Sequence, residues 1–316
     1  MCRIRAAASA ACSPGRTSRV LHITNGDCAV AVLSRAVQGA FLPWQDVLHE
    51  GPVHAGIPLE DLSRRRAAFI ASAGWAPRVR VQESFIQRDA ALHRSIEHEE
   101  VVLWFEHDLY DQLQLIQLLD WFGTHPHPRL TLVCEPEYLG DMTPARAAEL
   151  FRRRRPVSEA QLRAGSAAWG AFGSSDPFRI RTALLAELPF LGAALQRLLE
   201  EYPWRGDGLS RLERQALEAL RGGALPFEEL FARAHQRRED PVFLGDTVLA
   251  WHLERLAREG FVKKEMLWGL GERGVAVLAG EADAWAQPRS ARWLGGYEVR
   301  DARVRWDPAL ARLVRT

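Results

Sequence analysis

From residue 19 onward the chain alternates short apolar runs with longer amphipathic stretches, and this alternation limits the fold more than any other feature. Four runs have strand length and strand composition, at residues 20–24, 41–44, 101–105 and 130–134. Residues 28–37, between the first two, have helical character, with Asp27 where an N-cap belongs. Between the third and fourth, Leu109, Leu113, Ile116 and Leu119 recur at helical spacing. The long connection from the second run to the third predicts two helices, at 59–72 and 83–98. Crossovers between parallel strands are almost always right-handed, so the four strands share one direction. The expectation is an α/β fold, a Rossmann-like and mostly parallel sheet of about four strands spanning residues 19–140.

After Pro136 the pattern becomes helical, with predicted helices at 144–153, 158–172 and 178–200, and residues 141–205 read as a helical linker region. The basic run at 152–155 before Pro156 reads as a solvated helix C-terminus offsetting the backbone dipole. A turn-rich break at 202–208 opens a C-terminal domain, 206–316. Its helices are expected at 209–220, 226–235 and 247–259, followed by strand-like pieces at 261–267 and 275–278. Three helices and a hairpin are the order of a winged helix, with 270–278 resembling its wing-closing segment. Residues 1–18, rich in Ala, Arg and Ser, read as a disordered N-terminal extension, a frayed or mis-started terminus rather than a transit peptide.

Charge confines any nucleic-acid contact to a local patch. Lys plus Arg number 41 against 40 acids, a net charge of +1, so no global field draws the chain to DNA or an anionic membrane. No apolar run reaches the length of a membrane span. Cys2, Cys12, Cys28 and Cys134 form no CxxC pair and read as reduced thiols, which places the chain in the cytoplasm. Lysine occurs only at Lys263 and Lys264, an arginine bias that suggests GC-rich bacterial coding.

Ligands of open parallel sheets bind beyond the carboxyl ends of the strands, where helix N-termini and loops gather. The first strand delivers Asn25, Gly26 and Asp27 there. The second is followed by Asp46, His49, Glu50 and Gly51, and the third by Glu106, His107, Asp108, Asp111 and Gln112. Each piece has a plain structural explanation. Asp27 and Asp108 are good N-caps, Asp111 suits a first helical turn, and Gly51-Pro52 suits a turn. Separate caps do not explain why so many acids and imidazoles gather at one edge. Two sites fit: a divalent metal held by histidine and carboxylates, or a hydroxyl- or amine-bearing ligand fixed by Asn25, Gln112 and the acids. No HExxH, EF-hand loop, GxGxxG, GxxxxGK[ST] or GxSxG is present, so the residues specify no cofactor and leave any metal open.

Three stretches carry a resemblance: HITNGD at 22–27, DVLHEGP at 46–52 and LWFEHDLYDQL at 103–113. Together they are similar to the bacterial domain-of-unknown-function 1835 family, and FLGD at 243–246 and RWLGG at 292–296 resemble what usually follows it. The matching positions are Gly26, Asp27, Asp46, Glu50, Gly51, Pro52, His107, Asp108, Asp111 and Gln112. The resemblance implies the domain order and no mechanism.

The leading expectation is therefore a cytosolic bacterial protein that binds a small polar ligand or nucleotide at this edge. Asn25, Gly26, Asp27, Asp46, Gly51, Asp111 and Gln112 would serve binding, and His49, Glu50, His107 and Asp108 any chemistry. One rival is a metal-dependent hydrolase with His49, His107 and some of Asp46, Asp108 and Asp111 as ligands and Glu50 as general base. The other is a winged-helix DNA-binding regulator whose third helix offers Thr247, His252, Arg255 and Arg258. Residues 209–316 hold 18 basic and 16 acidic residues, a weak balance for gripping phosphates. Protein partners and oligomeric state are left open.

Overall fold

The computed structural model describes residues 19–180 and 186–316. In chain order the first part runs β1 (Val20–Thr24), α1 (Asp27–Leu33), β2 (Ala40–Pro43), β3 (Gly51–Pro52), α2 (Leu59–Ser72), α3 (Arg78–His93), β4 (Glu100–Phe105), α4 (Leu109–Thr124) and β5 (Leu130–Cys134). Then come α5 (Pro144–Arg153), β6 (Arg155–Pro156), α6 (Glu159–Phe172) and α7 (Leu191–Leu199). The last part holds α8 (Arg211–Ala219), α9 (Phe227–Phe231), α10 (Asp246–Arg258), β7 (Val262–Lys264), β8 (Trp268–Leu270), α11 (Glu272–Leu278), β9 (Arg292–Gly295), β10 (Tyr297–Val299), β11 (Val304–Asp307) and β12 (Arg312–Arg315).

The main sheet is five-stranded, in the order β2-β1-β4-β5-β6. Its first four strands are parallel, as the apolar runs predict, and the short β6 is antiparallel. The central strand β4 is buried at every position, which is why it reads as a continuous apolar run rather than an alternation. Helix α4 is buried around most of its circumference because the sheet lies on one side and α6 and α7 lie on the other. Gly165 permits the α4–α6 approach, since a Cβ there would stand 2.4 Å from Cβ of Leu119.

Several expectations change. The first helix ends at Leu33, and Asp27 lies in its first turn while the cap position belongs to Gly26, with no side-chain capping bond. The helix expected over 178–200 shrinks to α7, and residues 181–185 of that stretch lie outside the described residues, as does the expected extension 1–18. The piece at 275–278 is not a strand. It belongs to α11, whose Gly274 lies against the Phe261 carbonyl so closely that a Cβ would meet it at 2.2 Å. A short apolar run does not by itself separate a strand from a buried helical turn. In the basic run, Arg152 and Arg153 do end α5, but Arg154 turns inward to ion-pair with buried Glu100. Among the described cysteines, Cys134 is a free thiol, whereas Cys28 is disulfide-bonded, so the reduced-thiol reading does not hold for it.

The C-terminal stretch packs in two places. Residues from Leu209 to Ala284 build a core of their own from α8, α9, α10, the β7–β8 hairpin and α11. Residues Leu294, Val299, Val304, Trp306 and Leu313 instead join the core of the parallel sheet domain. β9 pairs in parallel with β3, joining Gly51 and Pro52 to Leu294 and Gly295. Gly51 has φ +80, and its α-carbon faces the Phe69 ring so closely that a Cβ would stand 2.3 Å from it. A turn, a tight ring contact and a strand pairing therefore all explain this glycine. No described helix is long and apolar enough to cross a membrane.

Candidate functional site

Parallel pairing brings the ends of β1, β2, β4 and β5 to one edge of the sheet. β4 ends at Phe105, so Glu106 is the first residue past it, and α4 begins three residues later with Asp108 as its N-cap. The Asp108 carboxylate accepts from the Asp111 backbone N–H at 2.9 Å, so the capping expectation holds. Asp111, in the first turn, reaches back to the strand, where its Oδ1 accepts from the Glu106 N–H at 2.8 Å. Asn25, beyond β1, completes the link. Its amide nitrogen donates to Asp111 Oδ2 at 2.9 Å and to Glu106 Oε1 at 3.0 Å. The loop after β5 adds the Leu139 N–H, which donates to Glu106 Oε1 at 2.7 Å.

These contacts gather Glu106, Asp108 and Asp111 so that one carboxylate oxygen from each lies within 4.8 Å of the others. All three are buried. Burial, then the charge of Asp108, raises the Glu106 pKa to about 8. Burial raises Asp108 to about 7, and burial followed by the charges of Asp108 and Glu106 holds Asp111 well above the carboxylate range. The three acids thus share protons as one unit at neutral pH.

The contrast with the other buried acids is sharp. Asp46, Glu50, Asp89, Glu100, Glu201, Glu213, Glu239 and Asp307 each form an ion pair with an arginine. Among the described residues, no arginine or lysine pairs with Glu106, Asp108 or Asp111, whose donors are one amide and backbone N–H groups.

The remaining expected residues divide between the edge and the joint with the C-terminal part. Gln112 donates to the Glu106 carbonyl at 2.5 Å and to Cys134 Sγ at 3.5 Å, fixing the strand end from below. Gly26 and Asp27 are half-buried at the start of α1. His107 is half-buried with Nδ1 unpartnered, packs on Tyr138 and Phe190, and is held below its usual pKa by burial, against the pull of Asp240. Asp46 is not part of the cluster. The Arg66 guanidinium grips it at 2.8 Å and 3.0 Å and also donates to the Val47 and Glu50 carbonyls, which makes this pair the frame of the loop after β2.

Glu50 is committed in the same way. His252 Nε2 donates to it at 2.8 Å, and Arg292 donates through two nitrogens, one of them at 3.0 Å. Those charges hold its carboxyl far below the usual range despite complete burial, so its lone pairs are taken and it is not a free base. Arg292 also bridges to Glu201, whose pKa is lowered to about 2. His49 is buried at 3% exposure, both ring nitrogens lack partners, and burial lowers its pKa to about 3. Its ring stands edge-on to Tyr110 and Phe243 and makes no hydrogen bond to the three carboxylates. The structure therefore groups Asn25, Asp108 and Asp111 with Glu106, an edge acid that the sequence reading assigned no role, and keeps His49, Glu50 and Asp46 out of that group.

The C-terminal part covers this edge. Tyr138, after β5, donates its hydroxyl to the Val242 carbonyl at 3.0 Å and accepts from the Val242 N–H at 2.7 Å. Neither a family model nor a curated protein matches the chain.

Proposed function

We propose that the carboxyl edge of the sheet binds a small polar ligand through a divalent cation, with Glu106, Asp108 and Asp111 as its oxygen donors and Asn25 holding the donors in place. One observation carries this reading: these are the buried acids that no described arginine neutralises, and they lie together. Clustered buried carboxylates must either stay protonated or meet a cation. A set of three hard oxygen donors suits magnesium, manganese or calcium better than zinc or copper. The half-buried Asn25, His107 and Tyr110, bonded to the cluster or next to it in the chain, supply polar groups to orient a ligand. The test is calorimetric titration of the whole chain with each of these ions. Binding should occur at one site and be lost on Glu106→Gln. A chain that takes up none of them, with its stability unchanged, would remove the reading.

The hydrolase reading with Glu50 as base has less support, because Glu50 is fully bonded to His252 and Arg292. For the C-terminal part, a winged-helix-like reading is supported by the order of α8, α9, α10 and the β7–β8 hairpin and by the bridge between Leu225 and Trp268. We propose that this module docks within the chain rather than on DNA. On α10, Trp251 packs against Phe69 and Trp75, His252 binds Glu50, and Arg255 donates to the Ser290 and Ala291 carbonyls. Two of the groups that would face bases, His252 and Arg255, are thereby occupied. Retention on a DNA column at low salt should be negligible. Membership of the domain-of-unknown-function 1835 family is proposed on the three loop motifs, all of which border the sheet edge or its joint.

A further inference from the structure

The segment from Asp240 to Leu244 lies between the helical turns after α9 and the start of α10, and it is held almost entirely by side chains. Among the described residues, backbone bonding stops with the Glu239 N–H donating to the His235 carbonyl and resumes with the Val248 N–H donating to the Gly245 carbonyl. In between, Val242 is clasped in both directions by the Tyr138 hydroxyl, and the Leu244 N–H donates to His235 Nε2 at 3.0 Å. Phe243 is wedged between His49 and His235, with ring centroids 5.3 Å and 5.2 Å away. Directly beneath Phe243, the His49 imidazole has no partner for either nitrogen.

Such a burial is costly. An imidazole sealed from water without hydrogen bonds loses its solvation and gains nothing in return. Orphaned buried polar groups in folded proteins call for an explanation, such as a functional role or a missing partner. Here the orphan lies under a segment for which no backbone ladder is found among the described residues, and segments of that kind open locally at low free energy. From His49 the path to the carboxylates is short. Its ring contacts Tyr110 at 6.2 Å, and the Tyr110 hydroxyl donates to the Asn25 carbonyl at 3.4 Å.

We propose that residues 240–244 form a strap over the carboxyl edge, and that lifting it withdraws Phe243 and exposes the His49 imidazole to the ligand site as a hydrogen-bonding partner for an uncharged polar group such as a hydroxyl or amide. The ligand part rests on the edge-site reading. The strap stands on its own contacts. Three side chains keep it closed: the Tyr138 hydroxyl on Val242, the His235 imidazole on the Leu244 N–H, and the Phe243 ring, over which the Arg197 guanidinium sits at 5.0 Å. Low pKa leaves the imidazole neutral at pH 7, so it can donate through one nitrogen and accept through the other.

The test is covalent labelling of the full chain with diethyl pyrocarbonate, which attacks neutral imidazole nitrogens, read residue by residue by mass spectrometry. Tyr138→Phe removes two hydrogen bonds from the strap, and His49 labelling should accelerate on the order of tenfold. Phe243→Ala should do the same by removing the plug. The internal reference is His22, which is fully buried and accepts from Trp104 Nε1 at 3.1 Å in the opposite layer, and should stay protected in both variants. If His49 labels no faster than in the unaltered chain, or only in step with His22, the segment does not open on its own and the proposal falls. Cation titration of the unaltered chain separates the two readings. Absence of cation binding in the unaltered chain, with rapid His49 labelling in Tyr138→Phe, would count against the edge site and leave the strap intact.

Discussion

Asp108 has two roles that one substitution can separate. Its carboxylate caps α4, and its charge crowds Glu106 and Asp111. Asparagine caps as well as aspartate. Asp108→Asn should therefore keep the helix start, relieve the repulsion and leave the cation-free protein at least as stable, while weakening divalent-cation binding. Asp108→Ala should lose the cap and cost about 1 kcal/mol in denaturant unfolding. Equal losses in both variants would show that the charge has no part in the cluster's energetics. Much of this residue-scale picture was legible in the sequence: the strand-end positions of Asn25, Asp108 and Asp111 follow from the alternation of apolar runs. The partners were not. Nothing in the local pattern tells that Arg66 lies 20 residues from Asp46 yet seals it, or that Arg292 comes back 242 residues later to take Glu50. Ion pairing across such separations is set by tertiary packing, to which periodicity is blind.

At the scale of elements, the loop after β2 is the joint of the molecule. Asp46 and Arg66 shape it, Gly51 turns it, and Glu50 plugs it into α10 and β9. Removing one member of a buried pair leaves the other charge stranded, so Arg292→Met should destabilise by roughly 3–5 kcal/mol, measured by urea unfolding. Gly51→Ala must both adopt a left-handed backbone and displace Phe69, and should lose more than the roughly 1–2 kcal/mol of the backbone term alone. A variant that unfolds at the same midpoint as the unaltered chain would contradict the joint. The DVLHEGP motif read as an edge-site element because it follows a strand, and its residues do lie at that edge. Its side chains turn toward α2 and the C-terminal part instead. The strand-like reading of 275–278 failed for a related reason: the run is apolar because it packs on α8 and β7, and either conformation would bury it.

For the whole molecule, pH separates the neutralised acids from the clustered ones. Glu201 and Glu213 have pKa values lowered to about 2, so their contribution to stability is present above the ordinary carboxylate pKa and lost only as pH falls through the acid range. His22, His49 and His235, held neutral with pKa values near 4, 3 and 4, cost stability as pH falls below about 6.5, where the unfolded chain takes up their protons. Glu106 and Asp108 act in the opposite sense. Their folded pKa values of about 8 and about 7 exceed the unfolded ones, so the folded state holds more protons and loses stability as pH rises toward those values. Above about pH 7.5, a full unit past the unfolded value, His22, His49 and His235 add little further change, and the window from there to about 8 isolates the cluster. Melting temperature in a chelator should fall across it, should fall less steeply in Asp108→Asn, where burial still raises Glu106, and should stay level in excess manganese. A flat profile in the unaltered chain would mean that the three carboxylates are not crowded.

The most direct test is a calorimetric titration of manganese into the full chain at about pH 7.5, with the buffer varied to count the protons released on binding. One site is expected, with a release of protons displaced from the shared carboxylates and loss of both signals in Asp111→Asn. Binding that releases no protons, or that survives Asp111→Asn unchanged, would place any cation elsewhere and contradict the shared-carboxylate site.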